Sequence, residues 1–276
     1  MNIEGVSGFR GKLPGKTITV MAGVHGNEIC GPRAFEILLP KLKIDRGVVN
    51  FVIGNPRAVE KNVRFTEMNL NRAFRPDELL TDAEKNSYER SRAVELMPIL
   101  EASGAFLDIH SSSSGQSIPF AICEAQSFSV VRRLPISIRS SGWGIIEPGA
   151  TDEFVNSRGG LGICVECGHH LDQSSVKKAI DVIRSFLIVT GAISGEIPPE
   201  NPNQREVHAH TIYLAKISYK PVRIFADFEP IEKGELIGYD GDEEVFAQED
   251  GVIVFGAKEK SKPGEEAFIL GRENVL

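Results

Sequence analysis

An imidazole and a carboxylate stand three residues apart in the hexapeptide GVHGNE, at positions 23–28. The flanking glycines let the backbone turn sharply around His25 and Glu28. Both side chains are good zinc ligands, and a catalytic zinc site needs three protein ligands plus a water molecule. The hexapeptide therefore predicts a third ligand elsewhere in the chain. His110, which follows the apolar run 105–109, is the candidate.

A hydrolytic zinc site also needs a second carboxylate that is not a ligand. Zinc lowers the pKa of its water and polarises a substrate carbonyl, and the second carboxylate takes the water's proton and passes it to the leaving group. Glu166 is a carboxylate inside the otherwise apolar segment 162–168. We expect Glu166 to be the general base and acid.

Residues 55–75 are locally basic, with five basic side chains against two acidic ones in a chain of net charge −7. Asn71 and Arg72 can hold a carboxylate through an amide and a guanidinium fork. Arg64 can stabilise an oxyanion beside zinc. The segment therefore predicts an anionic substrate.

The elements that must position these residues are short strands and helices. Apolar runs alternate with helical patterns through residue 195, which predicts an α/β sheet with helices on both faces. Thr81 and Glu84 form a capping-box pattern for a helix that ends near Gly104, and Ser174 or Ser175 caps a later helix. The predicted strands are residues 17–22, 48–53, 105–109, 118–123 and 161–165.

The candidate residues share a location in this scheme. His25 and Glu28, the Asn55-Pro56 pair, His110 and Glu166 lie at or near the ends of predicted strands. Ligands of open α/β sheets bind outside the carboxyl ends of the strands. The residues are therefore predicted to form one site.

Two domains are predicted. Residues 1–195 form the zinc-dependent catalytic domain, and residues 196–203 are a polar, proline-rich linker. Residues 204–276 carry short β-like segments with turn signals and no second catalytic constellation, which predicts a small all-β domain. We expect this domain to cover the substrate pocket.

Composition narrows the class of protein. The net charge of −7 argues against a nucleic-acid or anionic-membrane partner, and no segment approaches the roughly 20 apolar residues of a membrane span. No secretory signal is visible, and four cysteines in 276 residues do not make a disulfide framework. A cytoplasmic protein is expected, either monomeric or homo-oligomeric.

The motifs, taken in order, resemble the succinylglutamate desuccinylase/aspartoacylase family. They are GVHGNE at 23–28, NPRA at 55–58, Arg64, NLNR at 69–72, DIH at 108–110 and VE at 165–166. Members of this family are zinc hydrolases with a carboxypeptidase-like catalytic domain, a mixed sheet with flanking helices, and a smaller C-terminal β domain. The resemblance implies one zinc ion per chain on His25, Glu28 and His110. It implies that Glu166 is the base and acid, and that Arg64, Asn71 and Arg72 bind substrate.

The chain departs from the family at three places. Asn69 stands where the family often has aspartate, which bears on how the following arginine is oriented. Aspartoacylase has a further arginine shortly before its catalytic glutamate; Asn156 occupies that position here, and Arg158 is the substrate-binding candidate instead. Aspartoacylase has a tyrosine in its C-terminal domain, and at the corresponding place this chain has Ser261 and Lys262. These departures argue against specificity for acetylaspartate.

The leading hypothesis is a zinc-dependent deacylase, an amidohydrolase that cleaves a small anionic N-acyl amino acid or a related compound. Two alternatives remain open from the sequence. One is a metallocarboxypeptidase acting on peptides, because the catalytic residues are shared. The other is a catalytically silent zinc-binding protein that uses its β domain for assembly, although the intact set of His25, Glu28, His110 and Glu166 argues against it.

Overall fold

A computed structural model of the protein describes residues 3–113, 117–255 and 260–273. None of the helices in these ranges has both the length and the apolar character that a bilayer-spanning helix requires.

The described part of residues 1–170 contains seven strands, and most of them carry runs of buried side chains. The last five residues of the second strand, 18–22, are all buried, as expected for a strand that is covered on both faces. The strands are β1 (Val6–Arg10), β2 (Leu13–Ala22), β3 (Arg46–Ile53), β4 (Ala105–Ser112), β5 (Phe120–Cys123), β6 (Ile138–Ser141) and β7 (Leu161–His169).

Eight α-helices lie within the described ranges, and short 3₁₀ helices join some of them. The α-helices are α1 (Cys30–Leu38), α2 (Pro56–Lys61), α3 (Asp82–Lys85), α4 (Tyr88–Glu101), α5 (Phe128–Val131), α6 (Trp143–Ile146), α7 (Thr151–Asn156) and α8 (Gln173–Val189). The 3₁₀ helices are Leu39–Lys41, Leu70–Arg72, Asp77–Leu79 and Ala125–Ser127.

After residue 204 the described chain contains strands and turns, in agreement with the predicted β character. The strands are β8 (Arg205–Leu214), β9 (Tyr219–Pro221), β10 (Glu229–Ile231), β11 (Leu236–Asp240), β12 (Glu243–Phe246), β13 (Gly251–Ile253) and β14 (Glu266–Glu273).

Eleven strands form one mixed sheet in the order β1-β3-β2-β4-β7-β5-β6-β8-β14-β13-β10. The four strands β3, β2, β4 and β7 are mutually parallel, so their carboxyl ends share one edge. β12, β11 and β9 make a separate three-stranded sheet. The predicted mixed α/β fold with flanking helices and a small β sheet is therefore confirmed.

Two apolar clusters cover the two faces of the central strands. One contains buried residues of α1 and α8, such as Phe35 and Phe186, and the other contains buried residues of α4 and α7, such as Leu96 and Phe154. Helices therefore pack on both faces, as the alternating pattern predicts. This arrangement fixes the strand ends from which the candidate residues project.

Two helix boundaries differ from the sequence expectation. Thr81 and Glu84 do form a capping box, but the helix they open is only the short α3, and Ser87 caps the following α4. The later helix α8 is capped by Asp172, whose side chain accepts from the Ser174 backbone N–H, so the prediction of a serine cap is wrong. The aspartate carboxylate makes the same N-cap bond that a serine hydroxyl would make.

The C-terminal strands are continuous with the central sheet, because β8 pairs in parallel with β6. A third apolar cluster includes buried side chains from both regions of the chain. Its buried members are Phe120, Ile138, Trp143, Val207, Ala209, Phe228, Val252, Val254 and Ile269. The division into two domains at residues 195–204 remains a prediction. The shared cluster, however, contains buried residues from both sides of this boundary.

We expect Ile269→Ala to destabilise both regions together, because Ile269 is fully buried in the shared cluster. Removing such a side chain typically costs about 2–5 kcal/mol. Trp143 is the only tryptophan and lies in the same cluster. Urea transitions measured by its fluorescence and by far-UV circular dichroism should move together to lower urea.

Ile217→Ala is the matched control, because Ile217 is 60% exposed and should change stability by no more than about 0.5 kcal/mol. If the fluorescence transition of Ile269→Ala stays in place while part of the dichroism signal shifts, the C-terminal strands unfold as a separate unit.

Candidate active site

The loop after β2 holds the first two candidate ligands. Gly23 has a φ of +66°, which a side chain disfavours. Gly26 faces α2 so closely that an added Cβ would lie 2.0 Å from the carbonyl carbon of Ala58. The Gly26 N–H also donates to the Arg64 carbonyl at 3.2 Å. The two glycines therefore let the loop fold against α2 and turn back towards the end of the sheet.

Three predicted ligands converge on one point. His25 Nδ1 lies 2.7 Å from one Glu28 carboxylate oxygen, and His110 Nδ1 lies 2.9 Å from the other. Arg64 Nη1 lies 3.3 Å from Glu28, and the Ser111 backbone N–H donates to it at 3.2 Å. His25, Glu28 and His110 are all buried, and their donor atoms lie within 4.8 Å of one another.

Each imidazole also has an oxygen beside its other nitrogen. His25 Nε2 lies 2.9 Å from Asn69 Oδ1. His110 Nε2 lies 3.2 Å from Asp108 Oδ2, at ion-pair distance but without hydrogen-bond alignment. The Thr151 hydroxyl donates to the same Asp108 oxygen. Oxygens on the far nitrogens are what orient histidine ligands in metal sites.

Burial and the neighbouring charges shift the pKa of each of the three residues. Burial lowers the pKa of His25 to about 4, so its imidazole is neutral. Burial raises the pKa of Glu28, but the two imidazoles outweigh this effect and hold it well below its usual range. Burial opposes protonation of His110, but Cys164 and the carboxylates of Asp108 and Glu28 outweigh this effect and raise the pKa of His110 well above its usual value.

The donor set fits a divalent metal ion. Two imidazole nitrogens and a carboxylate are the chemistry of a three-ligand catalytic zinc site. His25 Nε2 bonds to Asn69 Oδ1 and His110 Nε2 lies beside the Asp108 carboxylate, which leaves the two Nδ1 atoms facing the centre. The buried carboxylate between them supplies negative charge for a cation. This cluster of His25, Glu28 and His110 could therefore bind a metal ion.

Glu166 stands beside this cluster. It lies within β7, opposite His110 in the register of β4 and β7. It is buried, and within the described residues its Oε2 atom has no hydrogen-bond partner. Burial, and then the negative charge of Glu28, raise the pKa of Glu166 to about 8. An unsatisfied buried carboxyl oxygen is costly and points to a group that binds there.

The basic segment reaches the same region through the Leu70–Arg72 helix. Asn69 caps it and accepts from both His25 Nε2 and the Asn71 backbone N–H. The Asn71 side chain accepts from the Thr151 backbone N–H at 3.1 Å. Arg72 donates through Nη1 to the Asn71 carbonyl at 2.8 Å. Asn69 therefore links the orientation of His25 to the segment that carries Arg72.

Arg72 is already paired with a carboxylate of the chain. Its Nη2 contacts Glu147, which follows α6 and which sequence reasoning missed. Glu147 belongs to no recognisable motif. The sequence singles it out only as the charged residue within the apolar, glycine-rich segment 142–150. Sequence reasoning also gave no role to Asp108 or Thr151, which lie behind His110.

Arg158 lies in a different environment. Its guanidinium packs over the Phe154 ring and pairs with Glu101 at 2.9 Å. It lines a cavity of about 510 Å³ together with Arg75 and Arg90, and the three candidate ligands and Glu166 are not among the lining residues. A substrate role for Arg158 stays a prediction, and these contacts give it no support.

The polar residues that follow the ligands also meet near the site. The Ser111 hydroxyl lies 3.0 Å from His170 Nδ1, and His170 is partly buried.

The four cysteines are free and buried, which agrees with core thiols. Cys164 and Cys167 lie on β7 within the sheet.

Comparison with known proteins agrees with this architecture. The succinylglutamate desuccinylase/aspartoacylase catalytic domain matches residues 14–188, more than half of the chain. A probable aspartoacylase of Prochlorococcus marinus is 36% identical over 110 residues, which covers 37% of this chain and 36% of that protein. A second, from subspecies pastoris, is 26% identical over 272 residues and covers 85% and 86% of the two chains.

A solved structure shares the fold. The crystal structure of a succinylglutamate desuccinylase/aspartoacylase from Rhodobacter sphaeroides superposes with a TM-score of 0.75 at 19% identity and covers 98% of this chain and 89% of that one. The fold and the buried cluster thus define an α/β protein with a candidate metal centre at the carboxyl edge of its sheet. The chain belongs to the succinylglutamate desuccinylase/aspartoacylase family.

The buried carboxyl of Asp152 should make the stability of the protein depend on pH. It is buried in the first turn of α7, and burial, followed by the charge of Asp108, raises its pKa to about 7. An unfolded aspartate has a pKa of about 4. Between these pH values the folded state binds more protons, so stability falls as pH rises and levels off above pH ~7.

We expect Asp152→Asn to remove this dependence. Between pH 5 and pH 8 the free energy of unfolding of the parent protein should fall by about 2–3 kcal/mol relative to the variant. Urea unfolding of both proteins across this range measures the difference. If the difference in free energy of unfolding between the two proteins is the same at pH 5 and pH 8, the pKa of Asp152 lies near its ordinary value.

Proposed function

We propose that the protein is a zinc-dependent deacylase that hydrolyses the amide bond of a small N-acyl amino acid. The observation that carries this proposal is the juxtaposition of two groups. A buried cluster of two imidazoles and a carboxylate lies beside the Glu166 carboxyl, one oxygen of which lacks a hydrogen-bond partner in the described structure. The first group fits a metal, and the second fits a proton carrier.

His25, Glu28 and His110 would hold one zinc ion per chain. When bound, zinc supplies an acidified water and polarises the amide carbonyl. Asn69 Oδ1 accepts from His25 Nε2 at 2.9 Å and would orient that imidazole, and the Asp108 carboxylate lies 3.2 Å from His110 Nε2. Such partners are as much a part of a metal site as the ligands.

Glu166 would move the proton. Its carboxylate takes the proton of the attacking water and gives it to the amine that leaves, which is general base and then general acid catalysis. The position of Glu166 opposite His110 in the sheet register supports this role. Its pKa, which burial and the charge of Glu28 raise to about 8, also supports a role in proton transfer.

The arginines would bind and polarise the substrate. Arg64 contacts Glu28 and is 51% exposed, so its remaining donors are available to an oxyanion that develops at the amide carbon. Arg72 and Asn71 would bind a substrate carboxylate. The family's members are named for acyl aspartate and succinylglutamate, which supports an N-acyl amino acid as the substrate class.

The C-terminal strands would limit the site to small molecules. They join the catalytic sheet through β8 and share an apolar cluster with β5, β6 and α6. As a cover over the pocket, they would exclude bulk water from a polarised carbonyl. The metallocarboxypeptidase alternative requires an open pocket, so activity on peptides separates the two proposals.

We expect Glu166→Gln to bind zinc with the parent stoichiometry and to lose about 10²–10⁴-fold in kcat. Glutamine is nearly isosteric but cannot accept the proton. Metal content is measured by elemental analysis after dialysis, and turnover by release of free amine from a panel of N-acyl amino acids and short peptides.

Glu200→Gln is the matched control, because Glu200 pairs with Arg133 on the surface outside the site. It should retain full activity. An active Glu166→Gln protein would move the proton-transfer role to another group. Hydrolysis of peptides in preference to N-acyl amino acids would replace the deacylase proposal with the carboxypeptidase one.

A further inference from the structure

A cavity of about 730 Å³ lies among the C-terminal strands, and its described lining contains neither the three candidate metal ligands nor Glu166. Its volume is within the range of about 300–1,000 Å³ that is typical of small-molecule sites. The charged lining residues are Lys220, Arg223, Lys260 and Asp242. This cavity therefore carries more basic than acidic side chains, in a chain whose net charge is −7.

Strand pairing places three of the lining side chains in one row. Tyr239 of β11 lies opposite Lys220 of β9. On the other side of β9, Tyr219 and Ser261 form an antiparallel bridge with reciprocal backbone hydrogen bonds of 3.0 Å. Positions 220 and 260 come directly after this bridge, so the two lysines face each other. Because opposed residues of neighbouring strands share a face, Tyr239 and the two lysines stand side by side in the cavity.

The two lysines have no carboxylate partner. Within the described residues neither Lys220 nor Lys260 forms an ion pair, although like charges that face each other across strands are destabilising. Arg223, by contrast, pairs with Glu229 at 2.7 Å and packs over the Phe225 ring. The charge of Arg223 is therefore matched within the chain. The charge of the lysine pair would be matched by an anion bound between the two ammonium groups.

The wall of the cavity is built on a fixed backbone. The buried Asp240 carboxylate accepts from the backbone N–H groups of residues 216, 217 and 218 at 2.6–2.9 Å. The same carboxylate accepts from the Tyr213 hydroxyl at 3.1 Å. Gly241 has a φ of +65°, and its N–H donates to the Ser218 carbonyl at 3.2 Å. A wall that is already ordered lowers the entropic cost of binding a ligand.

The chemistry of the row matches a phosphate next to a planar ring. Lysine binds phosphate as a point charge, and a phosphate monoester carries nearly two negative charges for the two lysines. Tyr239 is 39% exposed, so its ring offers a face on which a nucleobase can stack. Asp242 follows Gly241 at the end of β11, away from the row, where its carboxylate can accept hydrogen bonds from sugar hydroxyls.

We propose that this cavity binds a nucleoside monophosphate, with the phosphate between Lys220 and Lys260 and the base on the ring of Tyr239. The proposal does not depend on the deacylase function, because the two sites share no lining residue or ligand among those described. It gives the C-terminal strands a binding function of their own, in addition to the expected role as a cover.

Calorimetry of the full-length, zinc-loaded protein with adenosine 5′-monophosphate (AMP) tests the proposal. We expect one AMP molecule to bind per chain. Adenosine, which lacks the phosphate, and ribose 5-phosphate, which lacks the base, should each bind at least about tenfold more weakly. A hydrogen bond to a charged group and the stacking of one base are each worth about this much.

Substitutions in the row locate the bound nucleotide. Lys220→Gln and Lys260→Gln should each weaken AMP binding about tenfold. Tyr239→Thr should weaken AMP binding about tenfold and leave ribose 5-phosphate binding unchanged, whereas Tyr239→Phe keeps the ring and should bind AMP as the parent protein does. Lys233→Gln is the matched control, because Lys233 is an exposed lysine of the same region that does not line the cavity. Circular dichroism of each variant checks that the fold is retained.

Three outcomes would overturn the proposal. The first is a parent protein that does not bind AMP. The second is AMP binding that Lys220→Gln and Lys260→Gln leave unchanged, which would place the nucleotide elsewhere on the protein. The third is ribose 5-phosphate or inorganic phosphate binding as tightly as AMP, which would remove the Tyr239 ring from the site.

Discussion

The Glu28 carboxylate is the centre of the arrangement, because it places one oxygen on each of two imidazoles. Its oxygens lie 2.7 Å from His25 Nδ1 and 2.9 Å from His110 Nδ1. A buried carboxylate needs such partners to remain ionised, and the imidazoles hold its pKa well below the usual range. Because His25 lies on the same loop and His110 on a neighbouring strand, the contact fixes the loop against the sheet. The geometry of the candidate metal site follows from this one buried, charged group.

The rest of the fold keeps these three side chains in register. Parallel β2 and β4 bring the loop after one strand next to the end of the other, and β7 adds Glu166 opposite His110. Behind the ligands, Asn69 and Asp108 face the far imidazole nitrogens, and Thr151 supports Asp108. The 3₁₀ helix after Asn69 then carries Arg72. A single connected network therefore runs from the sheet to the segment that we propose binds substrate.

Much of this arrangement could be predicted from the sequence, because ligand chemistry and strand ends are local features. The clustering of His25, Glu28 and His110 and the mixed α/β fold followed from motif order, apolar runs and the family resemblance. Pairings between distant segments could not be predicted in this way. Nothing in the sequence indicates that Glu147 meets Arg72, or that Arg158 pairs with Glu101, because both depend on how loops pack. The cap of α8 was missed because aspartate and serine can make the same bond.

The central claim is that two imidazoles and a carboxylate, and no thiol, form the metal centre. X-ray absorption at the zinc edge, on protein loaded with one equivalent of zinc, tests it directly. We expect a first shell of nitrogen and oxygen at about 2.0–2.2 Å with the outer scattering of two imidazole rings. Three buried cysteines lie on the elements around the site, at positions 30, 164 and 167. A sulfur shell at about 2.3 Å, or a shell without imidazole scattering, would contradict the account.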